Sequence, residues 1–169
     1  MKELSNPTRR KFLKTGSALS ASTLLAAPHV ARAAKNDKTL KIGLVGIGGR
    51  GSGAAVQAML ADENVALTAI GDLFEDRIKL RSRILRARGR AKYQVTEETT
   101  FTGFDAYKKV IDSGIDVVIL TTPPNFRPLH IEYAIEKGVH CFFEKPVAVD
   151  APGVRKVIEL AKKAKEKKL

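Results

Sequence analysis

Two kinds of hydrophobic pattern alternate along this chain after residue 39. Short continuous apolar runs are typical of strands buried on both faces, and the segments between them repeat apolar residues at helical spacing. The runs predict strands over 40–45, 65–71, 116–121 and 140–143, with a weaker one near 93–96. The helical segments are 51–60, 75–88, 105–113, 127–137 and 151–167. This alternation predicts an α/β fold with a doubly wound, mostly parallel sheet.

The first predicted strand runs directly into a glycine-rich turn, and a helix follows. The turn is Gly46-Ile47-Gly48-Gly49-Arg50-Gly51. In the GxGxxG spacing of dinucleotide-binding proteins, the first glycine permits a tight turn, the second lets a pyrophosphate approach the backbone, and the third lets helix and strand pack closely. The pyrophosphate then lies at the helix N-terminus. The spacing alone also suits a plain glycine-rich turn, so the prediction depends on the strand and helix around it.

An acidic residue, Asp72, ends the second predicted strand, about 20 residues after Gly51. A carboxylate at this spacing hydrogen-bonds the adenosine ribose hydroxyls and repels a 2′-phosphate, which favours NAD over NADP. Arg77 could reach the adenosine side and relax that preference, so NADP stays possible, and Arg50 could face the pyrophosphate. The alternative is that Asp72 only caps the helix that begins near Glu75.

Further candidate residues follow the fourth and fifth predicted strands, at the sheet edge where open α/β folds bind ligands. After the fourth strand come Thr121, Thr122, Pro123, Pro124 and Asn125, and then His130 in the next helix. After the fifth come Glu144, Lys145 and Pro146. The tandem prolines predict a rigid loop along a nicotinamide. His130 either lines that site or has a structural role.

Lys145 is the predicted catalytic residue. Beside a cationic nicotinamide its ammonium would lose a proton more readily, and the amine could then assist deprotonation of a substrate hydroxyl. Glu144 could orient the ammonium by a charge-assisted hydrogen bond, or could be simply exposed. The alternative for Lys145 is an ordinary loop lysine. No metal site is predicted, and the only cysteine, Cys141, stands in an apolar strand where packing is its expected role.

The formal net charge of +12 is concentrated at the two ends of the chain. Residues 1–33 and residues 155–169 each carry a net charge of +5. The body between them is therefore near neutral, and nucleic-acid binding is not expected, because it needs basic residues gathered on a folded face.

Residues 1–33 predict a twin-arginine signal peptide. Arg9 and Arg10 precede a short apolar run, and the run is followed by small residues suited to cleavage after Ala33. The run is too short to remain as a membrane span, and residues 34–39 form a linker. This pattern predicts periplasmic or other export of a folded protein by the twin-arginine machinery.

The ordered set of motifs resembles the nucleotide-binding domain of Gfo/Idh/MocA oxidoreductases, the glucose-fructose oxidoreductase and inositol dehydrogenase family. The matching positions are the glycine-rich turn, Asp72, Thr122-Pro123-Pro124 with His130, and Glu144-Lys145-Pro146. The resemblance covers residues 41–169. It implies a Rossmann fold, NAD as cofactor, and a carbohydrate or polyol substrate whose reacting hydroxyl contacts Lys145. It also implies that the loop from Thr121 to Asn125 contacts the cofactor.

Members of that family continue with a last Rossmann strand and a second domain, which supplies most substrate contacts and usually the interface of a homo-oligomer. Residues 40–169 are therefore expected to be a Rossmann domain truncated before that strand, from a gene fragment or an incomplete gene model, with little catalysis of its own. An exported enzyme of this kind would hold its NAD tightly. Three functions stay open: sugar or polyol oxidoreduction, NAD-dependent glycoside hydrolysis, and non-catalytic nucleotide binding.

Overall fold

The computed structural model describes residues 38–169; the predicted signal peptide and most of the predicted linker lie outside them. The strands are β1 (Leu40–Val45), β2 (Val65–Asp72), β3 (Thr100–Thr102), β4 (Val117–Leu120) and β5 (His140–Phe143). The helices are α1 (Gly49–Ala61), α2 (Glu75–Gly89), α3 (Ala106–Asp112), α4 (Arg127–Glu136) and α5 (Ala151–Glu166), with a 3-10 turn at Arg90–Lys92. None of these helices combines the length and apolar character needed to cross a membrane.

The five strands form one sheet in the order β3-β2-β1-β4-β5, and every neighbouring pair is parallel. The first strand, β1, therefore lies in the middle of the sheet. β2 and β3 follow on one side of it, and β4 and β5 follow on the other side. This confirms the predicted doubly wound α/β fold. The reversal places a topological switch point between β1 and β4, which is where such sheets bind ligands.

Two hydrophobic clusters cover the two faces of the sheet. Neighbouring residues of one strand divide between them: Leu44 and Ile119 lie in the cluster that includes α1 and α2, whereas Val45 and Val118 lie in the cluster that includes α3, α4 and α5. All four side chains are buried. The continuous apolar runs of the sequence thus have a direct cause, since both faces of each central strand are covered.

The prediction of a strand near 93–96 is wrong. Tyr93 makes a single parallel bridge to Leu67, and the strand that pairs with β2 is β3, further along the chain. Val95 is buried in the first cluster, so its apolar character reflects core packing outside a strand. At Thr96 the chain turns instead of continuing along β2: the Thr96 N–H donates to the Thr99 hydroxyl, and the Thr100 hydroxyl donates to the Thr96 carbonyl.

Along β5, side chains alternate between the second cluster and a more exposed face. Cys141 and Phe143 pack against the second cluster, whereas His140 and Phe142 are exposed. Burial raises the pKa of the Cys141 thiol to about 11. The thiol is therefore protonated at neutral pH and acts as a small apolar group, as the sequence suggests.

Candidate functional site

The glycine-rich turn, Gly46 to Gly51, connects β1 to α1 in a shape that requires glycine at two positions. Gly46 has a positive φ of 91°, which side chains other than glycine rarely adopt. A Cβ at Gly51 would collide with the Gly46 carbonyl and the Thr121 hydroxyl. Gly48 differs, because a Cβ there would meet nothing within 4 Å. The helix begins at Gly49, slightly earlier than predicted, so Gly51 lies inside its first turn.

The N-terminus of α1 suits an anionic group. First-turn N–H groups of a helix have no intrahelical acceptor, and the helix dipole adds positive potential there. The N-cap, Gly48, contributes no side chain, and the first turn of α1 contains no acidic residue. The open space above Gly48 and these donors therefore fit a pyrophosphate, in agreement with the spacing of the glycines.

Asp72, at the end of β2, is buried and uses both carboxylate oxygens. Its Oδ2 accepts a hydrogen bond from the N–H of Ile47 at 2.7 Å, and its Oδ1 accepts from the N–H of Phe74 at 3.0 Å. The first bond ties β2 to the glycine-rich turn, a structural role that sequence reasoning missed. The capping alternative is met in part: the N-cap of α2 is Phe74 and makes no side-chain cap bond, but Asp72 accepts a hydrogen bond from the Phe74 N–H at the start of that helix.

A cavity of about 360 Å³ opens at the switch point. Its wall includes seven of the residues predicted from the sequence: Gly46, Gly48, Asp72, Thr121, Thr122, Pro123 and His130. Carboxylate oxygens carry more than one lone pair, so Asp72 can still accept a hydrogen bond from a ligand hydroxyl. The structure thus brings the ends of β1, β2 and β4 together around one space.

Two exposed aromatic rings at this cavity were missed by sequence reasoning. Phe74 and Phe104 are 48% and 72% exposed, and both line the wall beside Asp72. The Arg77 guanidinium lies 4.8 Å from the centre of the Phe74 ring. Flat apolar rings beside the Asp72 carboxylate suit an adenine base. The available signal was an aromatic residue two positions after a strand-ending aspartate.

The loop after β4 is fixed to both sides of the cavity. The Thr121 hydroxyl donates to the Gly46 carbonyl at 2.5 Å. Thr122 Oγ1 and His130 Nδ1 are 3.2 Å apart, and the His130 ring stacks on Tyr107 with 4.1 Å between ring centres. Burial lowers the pKa of His130 to about 4, so the ring is neutral at pH 7. His130 therefore has both roles considered above: it lines the cavity and packs in the core.

The turn after β5, Glu144 to Pro146, is here named the lysine turn. Arg50 Nε of α1 donates to Glu144 Oε1 at 2.7 Å, and a second guanidinium nitrogen pairs with the same oxygen. The hydrogen bond from Arg50, with the charges of Arg50 and Arg127, lowers the pKa of Glu144. Of the two alternatives for Glu144, the structure shows neither an exposed carboxylate nor a pair with the Lys145 ammonium: the carboxylate is half-buried and pairs with Arg50. Lys145 itself is exposed.

Arg127, in the first turn of α4, is a further site residue that sequence reasoning missed. Its side chain lines the cavity and is only 4% exposed. Its Nη1 donates to the carbonyls of Glu144 and Pro146, on either side of Lys145. Burial lowers the pKa of Arg127, and the charge of Glu144 opposes that effect. The sequence feature that could have indicated Arg127 is its position three residues before His130, which places both side chains on the same buried face of the helix.

The remaining predicted residues do not line the cavity. They are Ile47, Gly49, Arg50, Gly51, Pro124, Asn125, Glu144, Lys145 and Pro146. Ile47 and Gly51 are buried parts of the fold, and the others belong to the glycine-rich turn, the loop after β4 or the lysine turn. Their contact with a cofactor stays a prediction.

A family model described as "Oxidoreductase family, NAD-binding Rossmann fold", GFO_IDH_MocA, matches residues 40–168. The chain belongs to this family. The resemblance inferred from the ordered motifs is thereby confirmed, and so is NAD as the cofactor of this fold. The glycine-rich turn and the cavity at the switch point are the features of the Gfo/Idh/MocA domain that fit a dinucleotide.

Relatives within the Gfo/Idh/MocA family have more than one kind of name. A glycosyl hydrolase family 109 protein of Porphyromonas gingivalis is 28% identical over 131 residues, covering 76% of this chain and 27% of the relative. Inositol 2-dehydrogenase 4 of Saccharopolyspora erythraea is 28% identical over 124 residues, covering 73% and 33%. The chain thus spans about a third or less of these curated relatives.

The fold also matches solved structures. Scyllo-inositol dehydrogenase from Lactobacillus casei, with bound NAD(H) and scyllo-inositol, aligns with a TM-score of 0.60 at 23% identity. The alignment covers 77% of this chain and 34% of that protein. The likeness supports the Rossmann-type arrangement of strands and helices seen here.

Proposed function

We propose that this chain is the cofactor domain of an NAD-dependent oxidoreductase that acts on a sugar, polyol or related hydroxyl compound. The observation that carries the proposal is the open space at Gly48, above the N-terminus of α1 and at the edge of the cavity. A backbone that lacks a Cβ beside free helix donors favours a pyrophosphate. The family match supports the same reading.

In this proposal different parts of the site contact different parts of the cofactor. The N-terminus of α1 holds the pyrophosphate, and Asp72 accepts hydrogen bonds from the adenosine ribose, which favours NAD over NADP. Phe74 and Phe104 give an apolar surface for the adenine. The loop after β4, with Thr122 and neutral His130, lies along the nicotinamide half. Bound NAD would supply the acceptor for a hydride.

In this proposal Lys145 is the catalytic residue. Its side chain is exposed and follows a strand that ends at the carboxyl edge of the sheet, so Nζ is accessible to a substrate hydroxyl. An amine at that position can accept the hydroxyl proton. The dehydrogenase names of the Saccharopolyspora and Lactobacillus relatives support a polyol substrate for the whole protein.

A second candidate function is NAD-dependent glycoside hydrolysis. It is favoured by the glycosyl hydrolase family 109 relatives, among them the Porphyromonas gingivalis protein. The two candidates share the cofactor site and differ in product, because hydrolysis releases an alcohol from a glycoside with no net consumption of NAD. A non-catalytic nucleotide-binding role is the third outcome of the same tests.

Cofactor binding is tested by calorimetric titration of NAD and NADP into the chain and into Gly48→Val. The valine side chain would fill the space a pyrophosphate needs, so NAD affinity should fall at least tenfold, about 1.4 kcal/mol. Gly53→Val is the matched control, because a Cβ at Gly53 of α1 also meets nothing within 4 Å. Equal affinity of the wild type and Gly48→Val would contradict the site.

The catalytic step is tested in a protein of the relatives' length that contains this domain. Lys145→Ala should lower turnover of polyols by about 10²–10⁴-fold, the range of a general acid or base, with NAD affinity little changed. Lys162→Ala, on the exposed face of α5, is the control. NADH formation with polyols supports the dehydrogenase. Release of nitrophenol from nitrophenyl glycosides without net NADH formation supports the hydrolase. If neither product forms, the result supports a role in nucleotide binding only.

We also propose export with bound NAD, on the pattern of residues 1–33. Replacing both Arg9 and Arg10 by lysine should leave uncleaved precursor inside the cell, because twin-arginine recognition depends on the pair. Fractionation and immunoblotting of wild type and variant measure this. Normal export of the double variant would contradict it.

A further inference from the structure

Arg127 is the one side chain in the described part of the structure that both lines the cavity and bonds the lysine turn. It comes from the first turn of α4, and its guanidinium reaches the carbonyls before and after Lys145. The position of the Lys145 backbone is therefore set from inside the protein, by a group in the cavity wall. Lys145 projects from that backbone as an exposed side chain.

The bonding of Arg127 needs an arginine. A planar guanidinium carries several donors in a fixed fork, so Nη1 can bridge two carbonyl oxygens while the rest of the group extends elsewhere. A lysine ammonium is a point charge with no such fork. Burial of the cation is offset in part by the two carbonyls and by the nearby Glu144 carboxylate, whose charge acts on Arg127.

The guanidinium is not fully satisfied by the residues that the structure describes. Nε of Arg127 is buried and has no hydrogen-bond acceptor among residues 38–169. Buried donors without an acceptor are rare in folded proteins. One explanation is that the surroundings of the donor change when a ligand binds. A group bonded on one side and unpaired on the other can shift when its neighbours in the wall are contacted.

We propose that Arg127 is a positioning residue that couples occupancy of the cavity to the placement of Lys145. The inference rests on the proposed function, since it takes NAD as the occupant of the cavity. When NAD contacts the wall, Arg127 is fixed, and through the two carbonyls it fixes the lysine turn. The site then presents Lys145 to a substrate only after the cofactor is in place.

The first measurement is amide hydrogen exchange of the full wild-type chain with and without NAD. NAD should slow exchange of Lys145 and Val147 at least threefold, while the exposed loop at Ser113 and Gly114 is unchanged. Binding of NAD, measured in parallel by calorimetry, separates two failures. Unchanged exchange despite bound NAD overturns the inference alone, and absence of NAD binding overturns the proposed function and the inference with it.

The second measurement is competitive acylation of Lys145 by acetic anhydride, read by mass spectrometry as a function of pH. In the wild type NAD should change the pH profile of Lys145 acylation, with Lys162 as internal reference. In Arg127→Met and Arg127→Lys, with NAD raised to the concentration that calorimetry shows to saturate each variant, its effect on Lys145 should be lost. Arg83→Met, an exposed arginine of α2, controls for loss of a cation.

A purely structural role for Arg127 predicts a different result. The variants would then lower stability, while NAD would still shift the acylation profile of Lys145 by the wild-type amount. That outcome would overturn the proposal. If Arg127→Met does not fold, Arg127→Lys keeps the buried cation and tests the same loss of coupling, and the wild-type exchange experiment decides independently of both variants.

Discussion

The glycine-rich turn and the lysine turn are held in place by different kinds of interaction. The first is fixed mainly by its own backbone, through the positive φ of Gly46 and the close approach of Gly51, with Asp72 and Thr121 from the adjacent strands added. The second is held by two arginine side chains, Arg50 from α1 and Arg127 from α4. A turn of the first kind exists before any ligand arrives, whereas one of the second kind depends on groups that a ligand can reach.

The electrostatics of the two turns differ in the same way. The glycine-rich turn presents backbone donors and a helix dipole, which a pyrophosphate would neutralise. In the lysine turn the nearby cations are already paired, Arg50 with the Glu144 carboxylate and Arg127 with two carbonyls. Lys145 is left as the exposed cation of that turn. This difference agrees with the proposed roles of the two turns, cofactor binding for the first and reaction for the second, and each role can be tested one residue at a time.

The largest effect is expected within the glycine-rich turn itself. Gly51→Ala places a methyl group against the Gly46 carbonyl, so it should cost more than about 3 kcal/mol of unfolding free energy, at the upper end of overpacking effects. Gly48→Ala should change stability by less than about 0.5 kcal/mol, because its methyl group meets open space. Urea denaturation compares the two. Equal losses would contradict the view that Gly51 is needed for folding and that Gly48 is not.

Asp72→Ala should cost about 2–3 kcal/mol, because the buried N–H of Ile47 and the N–H of Phe74 both lose a charged acceptor. Asp76→Ala, an exposed neighbour, should cost less than about 0.5 kcal/mol. Thermal unfolding of both variants is the measurement. Cofactor preference is better read in Asp72→Asn, which retains one acceptor and should narrow the preference for NAD over NADP.

His130, in the cavity wall, makes stability depend on pH. Its pKa is about 4 in the folded state, below the ordinary value of 6.5, so the unfolded chain binds more protons in that window. Its contribution is fully present above pH 6.5 and is lost as the pH falls towards 4. Between pH 7.5 and 5 the wild type should lose about 2 kcal/mol relative to His130→Phe, which keeps the ring stack but cannot titrate. Denaturation curves at both pH values measure this. The same pH dependence of the unfolding free energy in the wild type and in His130→Phe would contradict a role for His130.

The smallest effect is expected at the link between the two turns. Arg50 and Glu144 are 55% and 15% exposed, so breaking their pair with Arg50→Gln or Glu144→Gln should change stability by less than about 1 kcal/mol. A double-mutant cycle at low and high salt measures the coupling. A coupling well above that value would mean that the lysine turn depends on Arg50 as strongly as on Arg127.

Most strands and helices could be predicted from the sequence because the central strands are buried on both faces. Their continuous apolar runs differ clearly from the spaced apolar residues of amphipathic helices. The prediction failed at β3, where Tyr93 and Val95 fill the core from a segment that is not a strand, while the real strand, Thr100–Thr102, contains one apolar residue. A short edge strand of polar residues leaves little hydrophobic signal.

For the site, the sequence located residues whose role depends on local spacing. Gly46, Gly48 and Asp72 line the cavity as expected, because a glycine pattern and a strand end act within one βαβ unit. The bonds of Arg127 and the pairing of Glu144 with Arg50 depend on helices that come together only in the folded protein. No spacing rule connects those positions, so the sequence could not assign them.

Cys141 lies in β5, the strand that precedes the lysine turn, and the reaction rate of its thiol can report how often this strand separates from the core. It is the chain's single cysteine, and burial keeps its thiol protonated, with a pKa of about 11. A disulfide reagent reacts with the thiolate, so attack on this protonated, partly buried thiol should be slow and should become faster when β5 separates from α4 and α5. The rate of thiol exchange therefore measures how often that end of the sheet opens, without any substitution or label. Where opening requires release of NAD, bound NAD should lower this rate by a factor of one plus the ratio of the free NAD concentration to Kd, which is the exponential of the stability it adds divided by RT.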